Sequence, residues 1–429
     1  MAKILVASVS MDGHVNPMIP IVKKLLALGH QVGWYAGDNY CAKIEAAGAT
    51  FFMMSHEISE TQNKVKISFD GKTKIGLLRQ GKYYLKHVLY NVMMPQFEEL
   101  KLINKEFKAE IIVTDDLFTG AIPFKFHYNV PWVIYSNTPL MLLSKDTAAP
   151  GSDLFPAKNI FQKKQNLFTN WLIKNILFFD TNLYISRLMQ KNGLPTNSYF
   201  ILEKCLRQCD VFLQFATLQF EFYRSDLPKQ IKYVGPLILA KEIVNFDWWN
   251  RLQSNKKVIF VTQGTMSNGN DLNQLIVPTV EALKDEDYLI IASSSGFDTS
   301  ELKKRFPSEN IIFEKFVPYA NILPHVDLMI TNGGYGGVTM ALNYGVPIVV
   351  AGVSEDKPDV GTRVEYFKVG INLKTANPTL KQIIKATKQI LNDSKYAENA
   401  KRISADFQKH NAVDESVSII EQFVNKDKI

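Results

Sequence analysis

Cysteine is almost missing from this chain of 429 residues: Cys41, Cys205 and Cys209 are the whole complement. An odd count at these spacings builds no disulfide framework, so a reducing compartment, the cytoplasm, is expected. Cys205 and Cys209 are one helical turn apart. No nearby histidine or further cysteine completes a zinc site, so both read as helix-face thiols. Long apolar runs are missing as well. No stretch reaches the ~20 residues that a membrane-crossing helix needs. Charge of one sign is scarce: the net +7 is modest, and the lysines form no runs, so nucleic acid is not an implied partner. The opening "MAKILVASVSMDGHVNP" has one lysine and a short apolar run ending in Asp12 and His14, which suits a strand better than a signal peptide. Short repeats and low-complexity tracts are also lacking.

What is present can fill a large core, with 46% hydrophobic residues against 21% charged. Single cores stop growing at about 250–300 residues, so two domains are expected. "KILVASVS" reads as a strand buried on both faces. "NPMIPIVKKLLALGH" follows as a helix, with Asn16 as cap, Pro17 at the first helical position and Gly29 as stop. "QVGWYAG" is the next strand, which makes a βαβ unit and implies a parallel sheet. Further strands read at "EIIVTDD", "VPWVIYSN", "CDVFLQFA" and "IKYVGPL". The pattern lapses over 237–255 and restarts at "KKVIFVTQGT", followed by "YLIIAS", "NIIFEKF", "DLMITN" and "PIVVAG". The expected fold is therefore α/β, with two doubly wound parallel-sheet domains. The first spans 1–236, the linker 237–255 and the second 256–409. A terminal helix over 410–429 is expected to be able to cross back to the first domain.

One segment breaks the alternation. "AKNIFQKKQNLFTNWLIKNILFFDTNLYISRLMQKNGLP" is long, aromatic and basic. Phe161, Phe168, Trp171, Leu172, Phe178 and Phe179 have no role in a parallel sheet. A plain core, a helical cover over an apolar cleft and a membrane-surface helix are the three readings. Dispersed charges favour core or cover over membrane.

Two glycine-rich turns stand at strand ends in the second half. "DLMITNGGYGGVTMALNYGVP" reads strand, turn, helix and stop. Gly333 and Gly334 permit close backbone approach. Gly336 and Gly337 fall in the first helical turn, whose unshielded N–H groups and partial positive charge suit phosphate. The pattern is not GxGxxG, so a dinucleotide site is a poor match. "VTQGTM" places Gly264 and Thr265 at the end of the domain's first strand, where open α/β sheets bind ligands. Tight helix–strand packing explains the first turn equally well, and an ordinary strand-to-helix loop is the alternative for the second. "DED" at 285–287 superficially resembles a metal clamp but reads as a solvated connector. His14, between a strand and a helix start, is either a backbone-bonded turn residue or a titrating group at a cleft.

Taken together, "GHVNPMIPI" and "FVPYANILPHVDLMITNGGYGGVTMALNYGVPIVVAGVSEDKP" resemble the UDP-glycosyltransferase family, and its bacterial macrolide and natural-product branch in particular. The similarity runs through the whole chain and is weakest over about 55–195. The resemblance implies two facing Rossmann-like domains of the GT-B type, with the acceptor on the first and the nucleotide sugar on the second. By position it implies His14 as general base and Asp115 as its carboxylate partner. Asp116 is the rival, and spacing to Pro131 favours Asp115. Phe316 and Val317 would flank the uracil. Asn332, Gly334, Gly336 and Gly337 would face the diphosphate, and Asp356 and Lys357 the sugar hydroxyls.

Three positions depart from the family pattern. Asn332 stands where histidine is usual, Met340 where a glutamate holds the ribose, and Lys357 where glutamine is common. Weaker diphosphate binding, relaxed ribose recognition and local pairing of Lys357 with Glu355 or Asp356 are the expected consequences. A thymidine diphosphate sugar stays open as donor. The expected reaction is inverting, metal-independent transfer of a hexose, glucose from UDP-glucose, to a hydroxyl of an apolar small molecule. No cofactor is expected beyond the nucleotide sugar, and the chain is expected as a monomer or weak dimer. Met93, Leu140 and Met141 are the acceptor candidates, within an apolar set that also includes Phe51–Met54, Met94, Leu142 and Leu143. A membrane-surface enzyme acting on a lipid or sterol, and a non-catalytic nucleotide-binding protein, are the alternatives.

Overall fold

A computed structural model describes residues 1–63, 74–196, 199–238, 244–264 and 271–424. The chain forms two all-parallel sheets. The first has seven strands: β1 Lys3–Ala7, β2 Gln31–Ala36, β3 Thr50–Met53, β4 Ile111–Asp115, β5 Trp132–Ser136, β6 Val211–Gln214 and β7 Ile231–Tyr233. The second has six: β8 Lys257–Thr262, β9 Tyr288–Ser293, β10 Ile311–Glu314, β11 Leu328–Thr331, β12 Ile348–Val350 and β13 Gly370–Asn372. Their orders are β3-β2-β1-β4-β5-β6-β7 and β10-β9-β8-β11-β12-β13. In each sheet the first strand in sequence lies inside, and the order reverses beside it. That reversal opens a crevice at the strands' carboxyl ends.

Continuous apolar strands are what a sheet covered on both faces requires. Along β1, Leu5 and Ala7 join one core while Ile4 and Val6 join the opposite one. Along β8, Val258 and Phe260 split from Ile259 and Val261 in the same way. Each fully buried Val, Leu, Ile or Phe stabilises by about 1.5–3 kcal/mol. These strands therefore carry much of the driving force for the sheets.

Two strands are missing from the sequence expectation, and both are edges. β3 has no buried residue. β13 is three residues long and begins with Gly370. A Cβ on Gly370 would lie 1.8 Å from the Ile348 carbonyl oxygen, so only glycine lets β13 reach β12. The first helix also starts differently. Asp12–Val15 forms its own short turn, Asn16 closes that turn, and Pro17 caps helix Met18–Ala27 without a side-chain hydrogen bond. Gly29 takes φ +85 where the helix stops.

The halves are tied together at two places. Helix Ala412–Val424 inserts Val417, Ile420 and Val424 into the first sheet's core. Lys24–Asp414 (3.1 Å) and His30–Glu421 (3.4 Å) flank this contact. In the other direction, Ala216 and Phe220, just after β6, pack into the second sheet's core. Beside them lies a buried charge cluster. Arg363 Nη2 of helix Lys357–Tyr366 donates to Glu221 at 2.6 Å, and Arg224 Nη1 donates to it at 3.1 Å. Burial opposes ionisation of Glu221, but the two guanidinium groups outweigh it and hold its pKa below the ordinary value.

Among the described residues no helix is long and apolar enough to cross a membrane. Cys205 and Cys209 are free and buried, and burial pushes the Cys205 thiol up to about 12. The Asp287 side chain of the "DED" connector is almost fully exposed and pairs with Lys256 at 2.8 Å.

The aromatic segment corrects the plain-core reading. It forms helix Ile160–Leu172, a π-helical turn Ile173–Leu177 and helix Phe179–Lys191. Leu172 and Phe178 are partly buried. Phe161, Phe168, Trp171 and Phe179 are exposed.

Candidate active site

The site is built on loops, and strands fix where those loops begin. β1 and β4 are adjacent and in register, so their carboxyl ends lie side by side. The turn after β1 carries His14, and β4 ends at Asp115. Asp115 is buried and accepts hydrogen bonds from Val9 N (2.7 Å) and Leu117 N (2.8 Å). Its Oδ1 lies 3.3 Å from His14 Nδ1. Asp116 Oδ1 is farther, at 3.8 Å. The sequence preference for Asp115 over Asp116 thus agrees with the shorter approach, although both carboxylates face the ring.

Asp116 serves a second shelf. Its Oδ2 accepts from Ser136 Oγ (2.7 Å) and Thr138 Oγ1 (3.1 Å), while its buried Oδ1 has no hydrogen-bond partner. Burial raises the pKa of Asp116. At His14, burial alone would lower the ring's pKa. The carboxylate of Asp115, with Asp116 and Asp356 beyond it, outweighs burial and holds the ring above 6.5. His14 Nε2 has no hydrogen-bond partner among the described residues. The His14 backbone is held as well, because Tyr135 Oη on β5 donates to its carbonyl at 2.7 Å. No sequence signal marked Tyr135 or Ser136, since both sit within an apolar strand.

Opposite, β11 ends at Thr331 and helix Tyr335–Asn343 begins after Gly334. Gly333 takes φ +88, and a Cβ there would lie 2.5 Å from Val350 Cγ1. The turn therefore needs glycine for both conformation and space. Gly334 is open, and the first N–H groups of a helix lack intrahelical partners. Gly264, with φ +68, lies beside Asn332, whose Oδ1 is 3.2 Å from the place of a Gly264 Cβ. The two glycine turns therefore adjoin. Thr265 falls outside the described residues. A Cβ on Gly336 would lie 3.2 Å from Asn137 Nδ2, so the loop after β5 reaches the second domain's helix start. Sequence reasoning missed Asn137, because a lone asparagine after a strand carries no pattern. Gly337 lies against Tyr319.

Asp356 precedes helix Lys357–Tyr366, and burial pushes its carboxyl up to about 6. Its charge reaches His14 across the crevice. Lys357 is buried and pairs with Glu355, with Ser354 Oγ at 3.4 Å. Local pairing at Lys357 is what the structure contains.

Three sequence candidates, Val317, Met93 and Leu140, have side chains inside the cores. Phe316 is exposed after β10, but Val317 is fully buried in the second core, where its side chain is unavailable to a base. Met93 and Leu140 are buried in the first core and cannot line an acceptor pocket with their side chains. Met141 is partly accessible. Met340 is buried in the second core. Apolar character alone does not separate a wall residue from a core residue.

His14, Asp115 and Asp116 also form a set whose potential ligand atoms lie within 4.8 Å of one another, the one such set among the described residues.

The paired sheets and facing turns are those of a GT-B glycosyltransferase. The calicheamicin glycosyltransferase CalG4 shares the fold, with TM-score 0.76 at 16% identity, over 99% of both chains. The family model "Erythromycin biosynthesis protein CIII-like, C-terminal domain" matches residues 279–423. The 4'-demethylrebeccamycin synthase of Lentzea aerocolonigenes is 30% identical over 99% of this chain and 100% of its own length. UDP-glycosyltransferase 2 of Phaeomoniella chlamydospora is 30% identical over 94% and 92%. The chain belongs to the UDP-glycosyltransferase family, and it is a glycosyltransferase.

Proposed function

We propose that this enzyme transfers a hexose from a uridine diphosphate donor, UDP-glucose, to a hydroxyl of an apolar natural product, with inversion and without a metal. One observation carries the reading: His14 Nδ1 stands 3.3 Å from the buried Asp115 carboxylate, and Nε2 has no hydrogen-bond partner among the described residues. A carboxylate on Nδ1 fixes the proton there and leaves the Nε2 lone pair outward.

Nε2 then takes the acceptor hydroxyl's proton as that oxygen attacks the anomeric carbon. The bond from that carbon to the diphosphate oxygen breaks, and the electron pair leaves with the nucleotide. Attack opposite the leaving group inverts the centre. Asp115 stabilises the imidazolium that forms. The helix start after Gly334 and the Asn332 amide face the departing charge, and they act before any reorganisation is needed. These groups perform the task that a divalent cation would otherwise perform.

A fully hydroxylated hexose suits Asp356, whose carboxylate accepts from sugar hydroxyls, better than a deoxygenated sugar does. The buried Met340 offers no acceptor for ribose hydroxyls, which leaves thymidine diphosphate donors as the competing substrates. The name of the 4'-demethylrebeccamycin synthase supports a natural-product acceptor. The test is binding of a nucleotide-sugar panel, followed by turnover with a mixed phenol and alcohol library. The expected result is selective binding of UDP-glucose and a product of inverted anomeric configuration. Retention, or turnover only with thymidine diphosphate sugars, contradicts the reading.

A further inference from the structure

Helix Ile160–Leu172 is attached by its polar side. Lys163 pairs with Asp146 at 2.6 Å. Asn166 Nδ2 donates to the Lys145 carbonyl (3.1 Å), and Asn170 Nδ2 to the Ser144 carbonyl (2.9 Å). No residue of this helix is buried. Its apolar stripe is exposed: Ile160, Phe161, Leu167, Phe168 and Trp171 fall on one face at helical spacing, and Leu167 and Trp171 also line a cavity beside Leu143 and Phe200. Phe161 is 78% exposed and Trp171 53%. Ile176 and Phe179 prolong the stripe. A surface helix normally turns this face inward. A contiguous apolar surface of this kind marks an interaction site.

The surrounding charge selects the occupant. Residues 158–193 carry six cations (Lys158, Lys163, Lys164, Lys174, Arg187, Lys191) and one anion, Asp180. Asp180 is already neutralised by Lys82 (2.8 Å) and Lys86 (2.9 Å). Lys163 is engaged by Asp146. The other five cations have no carboxylate partner among the described residues. A second copy docking through this face would press the same cations against each other, because a two-fold interface pairs a patch with itself. An anionic lipid surface supplies the opposite charge, and its headgroup layer accommodates Trp and Phe.

We propose that the helical pair 160–191 seats the enzyme on an anionic membrane surface, with the aromatic stripe in the headgroup layer and the lysines against lipid phosphate. The helix hangs from Ser144 and Lys145, in the chain that runs on from Asn137 at the crevice. The seat therefore lies on the acceptor-side domain. The inference is independent of the donor and of the role of His14.

The test is sedimentation of the full chain with vesicles of phosphatidylcholine plus phosphatidylglycerol, and with vesicles of phosphatidylcholine alone. The enzyme is expected to sediment with the anionic vesicles only, and less as salt rises. Phe168→Glu with Trp171→Glu, and separately Lys158→Glu with Lys164→Glu, are each expected to lower partitioning by about tenfold or more. Turnover of a water-soluble acceptor and the melting temperature are expected to stay unchanged, which shows that the variants are folded. Wild-type enzyme left in the supernatant overturns the proposal. So does a dimer in light scattering that Trp171→Glu dissolves without lipid, which makes the face a self-interface. A raised acceptor KM in the aromatic variant, with sedimentation unchanged, makes it an acceptor wall and also overturns the proposal.

Discussion

At the scale of single residues, the site rests on one imidazole held between carboxylates. Raising its pKa has a kinetic sign. A general base works only when deprotonated, so the acid limb of kcat/KM is expected above pH 6.5, and activity falls as pH drops through it. Asp115→Asn removes the nearest negative charge and favours the neutral ring. That limb is then expected to move to lower pH while the plateau rate drops, and a pH–rate profile of the variant checks both. Transfer is also expected to persist in EDTA, although His14, Asp115 and Asp116 gather within ligand distance. Full loss on chelation, with recovery on adding a divalent cation, would reassign the cluster to a metal. His14 drew attention by its place between a strand and a helix start, while its role and its pairing with Asp115 were read from the family resemblance rather than from the residues alone. Tyr135, Ser136, Thr138 and Asn137 were not legible, because their partners lie on other strands. Val317, named by resemblance, and Met93 and Leu140, named for apolar character, have buried side chains, and neither signal shows which way a side chain points.

At the scale of elements, strands were read well where they are buried on both faces and poorly at the edges. β1, β4, β5 and β8 announce themselves as unbroken apolar runs. β3 and β13 are short and part-exposed, and their pairing depends on a neighbour the sequence does not name. The turn after β11 is sensitive to change. Gly333→Ala is expected to cost more than about 1 kcal/mol, since alanine at positive φ is strained and its Cβ meets Val350. Chemical denaturation reads the stability, and calorimetry with the nucleotide sugar reads the accompanying loss of affinity. The helix Ile160–Leu172 defeated sequence reading for a different reason. Amphipathic periodicity reports two faces but not which one meets the protein. Here asparagine and lysine contacts settle the matter in favour of the polar face.

At the scale of the whole molecule, two domains were expected from length, and two sheets are present. Of the two ties between them, the crossing of the terminal helix was expected from the sequence and the buried charge cluster was not. Glu221 belongs to the loop after β6, yet its partner Arg363 lies on the second domain, and nothing in either local sequence links them. Removing one member of a buried pair leaves an uncompensated charge, at a cost of about 3–5 kcal/mol. Glu221→Gln and Arg363→Met are each expected to lower the melting temperature. The triple variant Glu221→Met, Arg224→Met and Arg363→Met, which leaves no charge of the cluster unpaired, is expected to recover much of the loss. A single variant as stable as wild type would show that the pair does not hold the domains in register.

The central claim is that His14 abstracts the acceptor proton while the second domain holds the donor. Single-turnover transfer by His14→Ala, measured beside its affinity for UDP-glucose, tests this most directly. A rate lowered by about 10²–10⁴-fold with donor affinity unchanged is expected. Transfer at the wild-type rate by that variant would contradict the claim.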